Sequence, residues 1–396
     1  MFENLKVSEA DPILGMMAAF RADEREQKVD LTVGVFQDEQ GITPIMAAVA
    51  EGERQLVAQQ TTKSYQGMAG DPLFNQRMSQ LLLGADNPLL ESGRLASMTT
   101  PGGCGALSVA STLVRAARPE ARVWVGNPTW ANHIPLIGGT GLRIEQYPYY
   151  DFEARQINFD AMMSCLSDVG AGDVVLLHGC CHNPCGADLD QSQWQAVTEL
   201  AVKNGFTPFI DIAYQGLADG LDEDAYGLRL MAASVPELVV AASCSKNFGL
   251  YRERAGLAMF LSHNAQQAEA ACSEAMIAAR RMYSMPPAHG AGIAAQILVD
   301  EVLRQQWEQE LAEMRDRLNA MRRLLAERLA DNSSGIDFGF VTRQKGMFSF
   351  LGISPAQVEQ LRNDYGIYML GSTRVNFAGI NAGNIDYLAD SMLKVL

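Results

Sequence analysis

The chain has 396 residues, of which 48% are hydrophobic and 19% are charged, and its formal net charge is −15. This length and composition are typical of a globular protein of about two domains, and they exclude an intrinsically disordered chain. The acidic balance also argues against the basic surface of a nucleic-acid-binding domain, and no apolar run reaches the roughly 18 residues of a membrane span.

The cysteines and the N-terminal residues indicate in which cellular compartment the protein is expected. The seven cysteines are an odd number, and residues 1–11 lack the apolar stretch with basic flanks that marks an export signal. We therefore expect reduced thiols and a cytoplasmic protein.

The elements predicted in the first 290 residues alternate between helices and short strands. Asp11 followed by Pro12 is typical of a helix start, and it predicts a helix to about residue 22. Strands are predicted at 122–125, 142–147, 173–178, 207–212, 238–243 and 256–261, and a helix at 189–203. Several strands are continuously apolar, as expected when both faces of a sheet are covered. The fold class is therefore α/β, with a mostly parallel central sheet flanked by helices.

The pattern changes near residue 291. Residues 291–330 are rich in good helix formers and contain no proline, which predicts one or two long helices. Strands near 347–351 and 374–377 and helices near 355–365 and 384–396 follow. We predict a large domain at 45–290 and a smaller α/β domain at 291–396, which the N-terminal segment 1–44 joins.

Chemically informative residues follow the predicted strands, where ligands bind in open α/β sheets. A glycine-rich loop containing Gly103 and Cys104 leads into a helix, so it is either a phosphate-binding loop or a plain tight turn. Trp130 follows the strand at 122–125 and either stacks on a planar ligand or caps the core.

The segment 178–186 is dense in cysteine and histidine. It raises the hypothesis of a metal site formed by His178, Cys180, Cys181, His182 and Cys185. No Cys-x2-Cys pair and no second cluster completes a tetrahedral site, so we predict no metal. Asn183 followed by proline also predicts a turn that points an amide at a ligand.

Two ionisable residues lie at the ends of later strands. Asp211 needs a partner because an unpaired buried carboxylate is costly, and a pyridinium N–H, a salt bridge or a helix end would each serve. Lys246 follows an apolar strand and has hydroxyls and arginines nearby, which favours a Schiff-base amine over a surface lysine. A pyridine ring that bears a phosphate would be suited by these groups in the order in which they occur: the glycine loop, the Trp, the Asn, the Asp and the Lys.

These motifs resemble those of the class I aminotransferases, in the aspartate and aromatic amino-acid branch. They are Asn-Pro-Thr-Trp at 127–130, His-Asn-Pro-Cys-Gly at 182–186, Asp-Ile-Ala-Tyr at 211–214, Ser-Lys-Asn-Phe-Gly at 245–249 and Arg-Val-Asn-Phe-Ala-Gly at 374–379. The resemblance covers nearly the whole chain. It implies fold type I, pyridoxal 5′-phosphate as cofactor, and a homodimer with shared active sites. It also implies ping-pong transfer of an amino group from an aromatic or dicarboxylic amino acid to 2-oxoglutarate.

The resemblance assigns roles around the cofactor. Lys246 would hold the cofactor covalently and later move a proton as a free amine, while Asp211, backed by His133, would keep the pyridine nitrogen protonated. Tyr214 and Asn183 would hydrogen-bond the 3-oxygen of the ring, on which Trp130 stacks. The groups expected at the phosphate are Gly103, Cys104, Ser243, Ser245, Arg254 and, from the second subunit, Tyr65.

The resemblance also assigns the substrate groups. Arg374 would grip the α-carboxylate as a two-pronged fork, in a pocket that Gly34, Trp130 and Asn183 line, and Arg280 would bind a distal carboxylate across the interface. Cys104 replaces the hydroxyl residue that is usual in the family's phosphate loop, and Ser64 and Met285 stand where the aspartate-preferring pattern has Asn. Aromatic donors therefore stay open. A lyase or decarboxylase on the same fold and a non-enzymatic metal-binding protein are the alternatives.

Overall fold

A computed structural model describes residues 1–7 and 12–396. The predicted first helix is present as Pro12–Ala22, whereas its proposed cap, Asp11, lies outside the described residues. The strands are β1 (Val29–Asp30), β2 (Leu95–Pro101), β3 (Arg122–Asn127), β4 (Arg143–Pro148), β5 (Tyr150–Asp151), β6 (Gln156–Ile157), β7 (Val174–His178), β8 (Thr207–Ile212), β9 (Leu238–Ser243), β10 (Ala255–Leu261), β11 (Phe348–Phe350), β12 (Ile367–Tyr368) and β13 (Arg374–Asn376).

Fourteen α-helices are present in the described residues, besides three short 3-10 helices at Phe2–Asn4, Pro88–Glu91 and Phe377–Gly379. The α-helices are α1 (Pro12–Ala22), α2 (Ala47–Gln59), α3 (Pro72–Leu83), α4 (Gly102–Ala117), α5 (His133–Gly138), α6 (Phe159–Leu166), α7 (Gln191–Asn204), α8 (Tyr226–Ser234), α9 (Ala265–Met282), α10 (His289–Val299), α11 (Glu301–Arg328), α12 (Phe340–Arg343), α13 (Pro355–Tyr365) and α14 (Ile385–Val395).

The central sheet has seven strands in the order β2-β10-β9-β8-β7-β3-β4. All neighbouring pairs are parallel except those of β10, which runs antiparallel to both β2 and β9. The mostly parallel sheet flanked by helices confirms the predicted fold class. Because the carboxyl ends of β3, β7, β8 and β9 meet at one edge, the residues that follow these strands converge there.

Alternate residues of the central strands face two different hydrophobic clusters. Phe209 and Ala241 belong to one cluster, while Ile210 and Val240 on the same two strands belong to the other. Both faces of the sheet are therefore covered, which explains why these strands are continuously apolar in sequence.

Local signals account for where several elements begin and end. Helix α7 starts with a capping box between Asp190 and Gln193 and ends at Gly205, whose φ of 78° favours glycine. The predicted helical stretch 291–330 is two helices that are separated at Asp300, and the Asp300 carboxylate accepts hydrogen bonds from Val302 N and Leu303 N at the start of α11.

The N-terminal and C-terminal parts of the chain pair with each other. Strand β1 pairs in parallel with β12, placing Val29 opposite Ile367, and β11 pairs antiparallel with β13. The segment that leads into the large sheet therefore packs with the C-terminal region. Over residues 1–7 and 12–396, no helix is both long and apolar enough to cross a membrane.

Candidate active site

A cavity of about 170 Å³ lies at the carboxyl edge of β3, β7, β8 and β9. It gathers ten of the side chains and backbone positions that the sequence predicts for the site. These are Gly103, Cys104, Trp130, Asn183, Asp211, Tyr214, Ser243, Ser245, Lys246 and Arg254. Leu107, His178, Cys180 and Ala213 complete the lining.

One end of this cavity is built to hold an anion. It lies at the N-terminus of α4, where Gly102 has a φ of 67°. A Cβ built at Gly102 would lie 2.6 Å from Nη2 of Arg254, and one at Gly103 would lie 3.2 Å from Cβ of Ser243. Backbone N–H groups, the helix dipole and a guanidinium therefore converge in a space that only glycines leave open.

Hydrogen bonds orient the groups at this end. Nη1 of Arg254 donates to Oγ of Ser245 at 3.3 Å and to the carbonyl of Tyr251 at 3.0 Å, and Oγ of Ser243 accepts from the Ser245 amide at 3.2 Å. Cys104 is partly exposed in the first turn of α4, with Nδ2 of Asn132 3.9 Å from its sulfur. The arrangement suits a phosphate, with a thiol among its potential contacts.

A chain of hydrogen bonds supports the other end of the cavity. The Asp211 carboxylate accepts from Nε2 of His133 at 2.8 Å, and Nδ1 of His133 lies 2.7 Å from the Thr129 hydroxyl, which is 3.0 Å from Nε2 of His178. Since a hydroxyl has one hydrogen, Thr129 donates to one imidazole and accepts from the other. Burial acts to raise the pKa of Asp211, but the hydrogen bond from His133 and the nearby charge of Lys246 bring that pKa below its ordinary value.

The histidines beyond Thr129 are neutral. Burial lowers the pKa of His178 well below its ordinary value and that of His182 to about 3. Their rings lie 4.0 Å apart, and Nδ1 of His182 is 3.1 Å from the sulfur of Cys185. Asp211 is therefore the charged member of this group, placed to bind a positively charged N–H in the cavity.

Lys246 and Tyr214 lie close to each other in the cavity lining, which Asp211 shares. The Lys246 ammonium nitrogen is 4.9 Å from the centre of the Tyr214 ring. Burial lowers the pKa of Lys246, against the opposing charge of Asp211, and burial raises the pKa of the Tyr214 phenol. A lysine with a lowered pKa holds more of the neutral, nucleophilic amine, while the phenol keeps a hydrogen to donate.

The loop that carries Asn183 is braced by a partly buried carboxylate, that of Asp188. Asp188 accepts from the amides of Cys181 at 2.6 Å and His182 at 2.8 Å, and the Gly186 amide donates to the His182 carbonyl at 2.7 Å. The Asn183-Pro184 peptide bond is cis. The brace holds the Asn183 side chain against the cavity, where the sequence predicts it.

Arg374 and Gly34 lie next to the cavity although neither lines it. Nη2 of Arg374 donates to the Thr32 carbonyl at 2.8 Å, and the guanidinium carbon is 4.6 Å from the centre of the Phe348 ring. A Cβ built at Gly34 would lie 3.4 Å from Cζ of the same ring. The charge of Arg374 is close enough to Tyr214 to act against the rise of its pKa. The two predicted substrate residues are therefore neighbours of the predicted cofactor residues.

Tyr65 and Arg280 are not brought to this cavity within one chain. Tyr65 is 93% exposed, and Arg280 is exposed at the end of α9. Both were expected to act on the active site of a second subunit.

The cysteines and histidines of 178–186 do not gather as the metal hypothesis requires. Among the described residues, the set whose ligand atoms lie within 4.8 Å of one another is Cys180, Cys181 and Asp224. The Asp224 carboxylate already accepts from four backbone amides, which are those of Gly216, Ala218, Asp219 and Gly220. His178 and His182 take part in ring and hydrogen-bond contacts instead.

Thr129 and Phe348 are site residues that the sequence analysis missed. Thr129 lies inside the Asn-Pro-Thr-Trp motif, so its place directly after β3 could have marked it as a partner of His133. Phe348 lies in a short, fully buried strand far along the chain, and nothing in its sequence surroundings distinguishes it from a core residue.

The donor set fits pyridoxal 5′-phosphate. A Cβ added at Gly102 would fill the space at the anion end, and the Asp211 carboxylate and the half-buried Lys246 amine line the same cavity. On a mostly parallel sheet, this arrangement defines a fold type I enzyme that uses pyridoxal phosphate.

Comparisons with known proteins give the family. The family described as aminotransferase class I and II matches residues 26–392. The chain is 45% identical to aspartate aminotransferase of Haemophilus influenzae and to aromatic-amino-acid aminotransferase of Paracoccus denitrificans, covering 100% of this chain and of each relative. It is also similar to the structure of aromatic-amino-acid aminotransferase from Burkholderia pseudomallei covalently bound to pyridoxal phosphate, with 39% identity, a TM-score of 0.98, and coverage of 100% and 99% of the two chains.

The chain therefore belongs to the class I aminotransferases, in the aspartate and aromatic amino-acid branch. It is a transaminase, and its cofactor is pyridoxal 5′-phosphate.

Proposed function

We propose that the chain transfers the amino group of an aromatic or dicarboxylic L-amino acid to 2-oxoglutarate by a ping-pong mechanism. The observation that carries this proposal is the half-buried Lys246 amine beside Tyr214, in a cavity that adjoins the Arg374 guanidinium. The amine supplies a base, and the guanidinium supplies a site for the carboxylate that every donor and acceptor shares.

The proposed cofactor contacts divide between the two ends of the cavity. Asp211, held by His133, would bind the pyridine N–H, and Tyr214 and Asn183 would hydrogen-bond the 3-oxygen. Trp130, whose ring meets that of His133 edge to face at 5.3 Å, would stack on the ring. The phosphate would be held by Gly103, Cys104, Ser243, Ser245 and Arg254.

Bound there, the cofactor supplies an electron-accepting ring. Lys246 would remove the proton from Cα of the amino acid and deliver a proton to C4′ of the cofactor, the carbon on the other side of the substrate nitrogen. The lowered pKa of Lys246 makes the neutral amine available for this step. Asp211 stays charged because its pKa is lowered, so it holds the positive charge on the ring nitrogen throughout.

We propose that Arg374 binds the α-carboxylate of the substrate in a pocket lined by Gly34, Trp130 and Asn183. A guanidinium presents parallel N–H donors that match a carboxylate, which fixes the orientation of Cα toward Lys246. Nη2 of Arg374 donates to the Thr32 carbonyl, and this bond helps to orient the guanidinium.

We propose a homodimer in which each chain completes the other's site. The exposed Tyr65 of one copy would contact the phosphate in the other, and the exposed Arg280 would bind the distal carboxylate of aspartate, glutamate or 2-oxoglutarate.

The domain division and the location are also proposals. The pairing of β1 with β12 supports a small domain of residues 1–44 and 291–396 beside a large domain at 45–290. Helix α10, however, packs on α2 and α3 of the large domain, so we propose to move the start of the C-terminal part of the small domain from residue 291 to a point within α11. Seven free cysteines support a reducing, cytoplasmic location.

A half-reaction tests the proposed chemistry and its donors. Holoenzyme mixed with L-phenylalanine or L-aspartate, without a 2-oxo acid, should lose the visible absorbance of the aldehyde form of the cofactor, and 2-oxoglutarate should restore it. Release of ammonia or carbon dioxide with unchanged absorbance would instead identify a lyase or a decarboxylase.

A further inference from the structure

Phe348 contacts three of the proposed active-site residues. Its ring is 2% exposed, and the Arg374 guanidinium lies over one face at 4.6 Å from the ring centre. Its Cζ lies 3.4 Å from the position of a Cβ built at Gly34, and its ring meets that of Tyr214 at 89° with centres 6.2 Å apart. One aromatic ring therefore joins the proposed carboxylate site to the proposed cofactor site.

We propose that Phe348 is a positioning residue that holds the Arg374 guanidinium in the orientation a substrate carboxylate requires. This inference rests on the proposed role of Arg374 in carboxylate binding. A guanidinium stacked on an aromatic face keeps its plane, and therefore its N–H donors, in a defined direction. The bond from Nη2 to the Thr32 carbonyl fixes the rotation within that plane.

A buried arginine anchors the backbone of the strand that carries Phe348. Arg322, 1% exposed, donates from Nη2 to the Phe348 carbonyl at 2.7 Å and from Nη1 to the Ser349 hydroxyl at 2.7 Å. Burying a charged group is costly unless its hydrogen bonds are made, and these bonds are made to the strand that carries Phe348. Strand β11 therefore has little freedom to shift relative to β13, which carries Arg374.

The same strand also braces the loop that carries Asn183. The Lys345 amide donates to the Gly186 carbonyl at 2.7 Å, and a Cβ built at Gly186 would lie only 2.2 Å from the Phe348 carbonyl. Gly186 has a φ of 71°, so glycine is required here both for its conformation and for this approach. Phe348 thus lies at the contact between the Asn183 loop and the proposed carboxylate site.

Phe350 provides a matched control on the same strand. It is 4% exposed and therefore about as buried as Phe348, but its ring packs on those of Tyr150 and Phe152, at 5.9 and 5.3 Å between centres. Phe350 is also the residue opposite Arg374 in the β11–β13 register, so replacing it removes similar aromatic volume close to Arg374 while leaving in place the Phe348 ring over which the guanidinium lies.

The experiment measures carboxylate binding apart from turnover. Holoenzyme with Phe348→Leu, Phe348→Met, Phe350→Leu or Arg374→Lys is titrated spectroscopically with 3-phenylpropanoate, an unreactive monocarboxylate. Cofactor dissociation constants and melting temperatures are measured alongside. We expect Phe348→Leu and Phe348→Met to weaken binding about tenfold, the range of a desolvated cation–π contact. The dissociation constant of Phe350→Leu for 3-phenylpropanoate should stay within about twofold of the parent value. The three variants that lose a phenylalanine ring should show similar decreases in melting temperature.

The variants distinguish the positioning role of Phe348 from the carboxylate-binding role of Arg374. If Arg374→Lys weakens binding but both Phe348 variants bind as the parent does, the positioning role is wrong and the role of Arg374 stands. If Phe350→Leu weakens binding as much as Phe348→Leu, the effect is general packing and the inference is overturned. If Arg374→Lys binds with parental affinity, the proposed carboxylate site itself is wrong.

Discussion

At the cofactor end of the cavity, the residues that follow four neighbouring strands meet within one chain, whereas the substrate end is assembled from distant pieces. Asp211 and Lys246 are placed by strands whose register lies inside a single buried sheet. Arg374 comes from near the C-terminus and is contacted by Thr32 near the N-terminus, while Arg280 is exposed. The cofactor end is therefore preorganised by the fold, and the substrate end depends on contacts between regions and, in our proposal, between chains.

The largest expected effect lies at the cofactor end. Lys246→Ala should lower kcat for transamination by about 10⁴-fold, because it removes the group that moves the proton. The measurement is single-turnover conversion followed by absorbance. Lys203→Ala, an exposed lysine at the end of α7, is the control and should retain parental activity. A Lys246→Ala protein with parental turnover would contradict the assignment.

A selective loss is expected at the substrate end. Arg280→Ala should lower kcat/KM for L-aspartate by about 100-fold, because a charged hydrogen-bonded pair is lost. The kcat/KM for L-phenylalanine should stay within about threefold of the parent value. The neighbouring Arg281→Ala is the matched control. Equal losses for both donors, or a larger loss from Arg281→Ala, would show that Arg280 does not bind the distal carboxylate.

A smaller effect is expected where a thiol faces the proposed phosphate. Cys104→Ser should tighten cofactor binding about threefold, because a hydroxyl is a stronger hydrogen-bond partner for phosphate than a thiol. Titration of the apoenzyme with pyridoxal phosphate measures this, with Cys165→Ser in α6 as the control. Weaker binding in Cys104→Ser alone would mean that the thiol makes a contact that the hydroxyl cannot replace.

The smallest effect concerns stability at acid pH. The pKa of Asp211 is lowered in the folded chain, so its charge stabilises the fold above the unfolded pKa, and this stabilisation is lost as the pH falls through the folded pKa. The unfolding free energy of the apoenzyme should therefore fall more steeply below about pH 4 than that of Asp211→Asn. Parallel pH profiles would show that the His133 bond does not stabilise the charged form.

The two ends of the site also differ in how far the sequence predicts them. The strands at 207–212 and 238–243 are found where continuous apolar runs placed them, and the residues that follow them line the cavity. Strand β2 was missed because Ser97, Thr99 and Thr100 interrupt its apolar character, although its pairing with β10 buries it.

Phe348 shows what pattern alone cannot supply. Its contacts with Gly34 and Arg374 join three parts of the chain, which the pairing of β11 with β13 and the bond from Asn376 to the Val35 carbonyl bring together. Local sequence predicts a buried strand at this position and carries no information about which face meets a guanidinium. The sequence likewise does not determine whether 291–330 forms one helix or two, because the residues on both sides of Asp300 are rich in helix formers.

Covalent attachment of the cofactor tests the central claim most directly. Holoenzyme reduced with borohydride, digested and mapped by mass spectrometry should carry the pyridoxyl phosphate group on the peptide containing Lys246, at that side chain. Attachment to a different lysine, or no attachment in a protein reconstituted with the cofactor, would contradict the account.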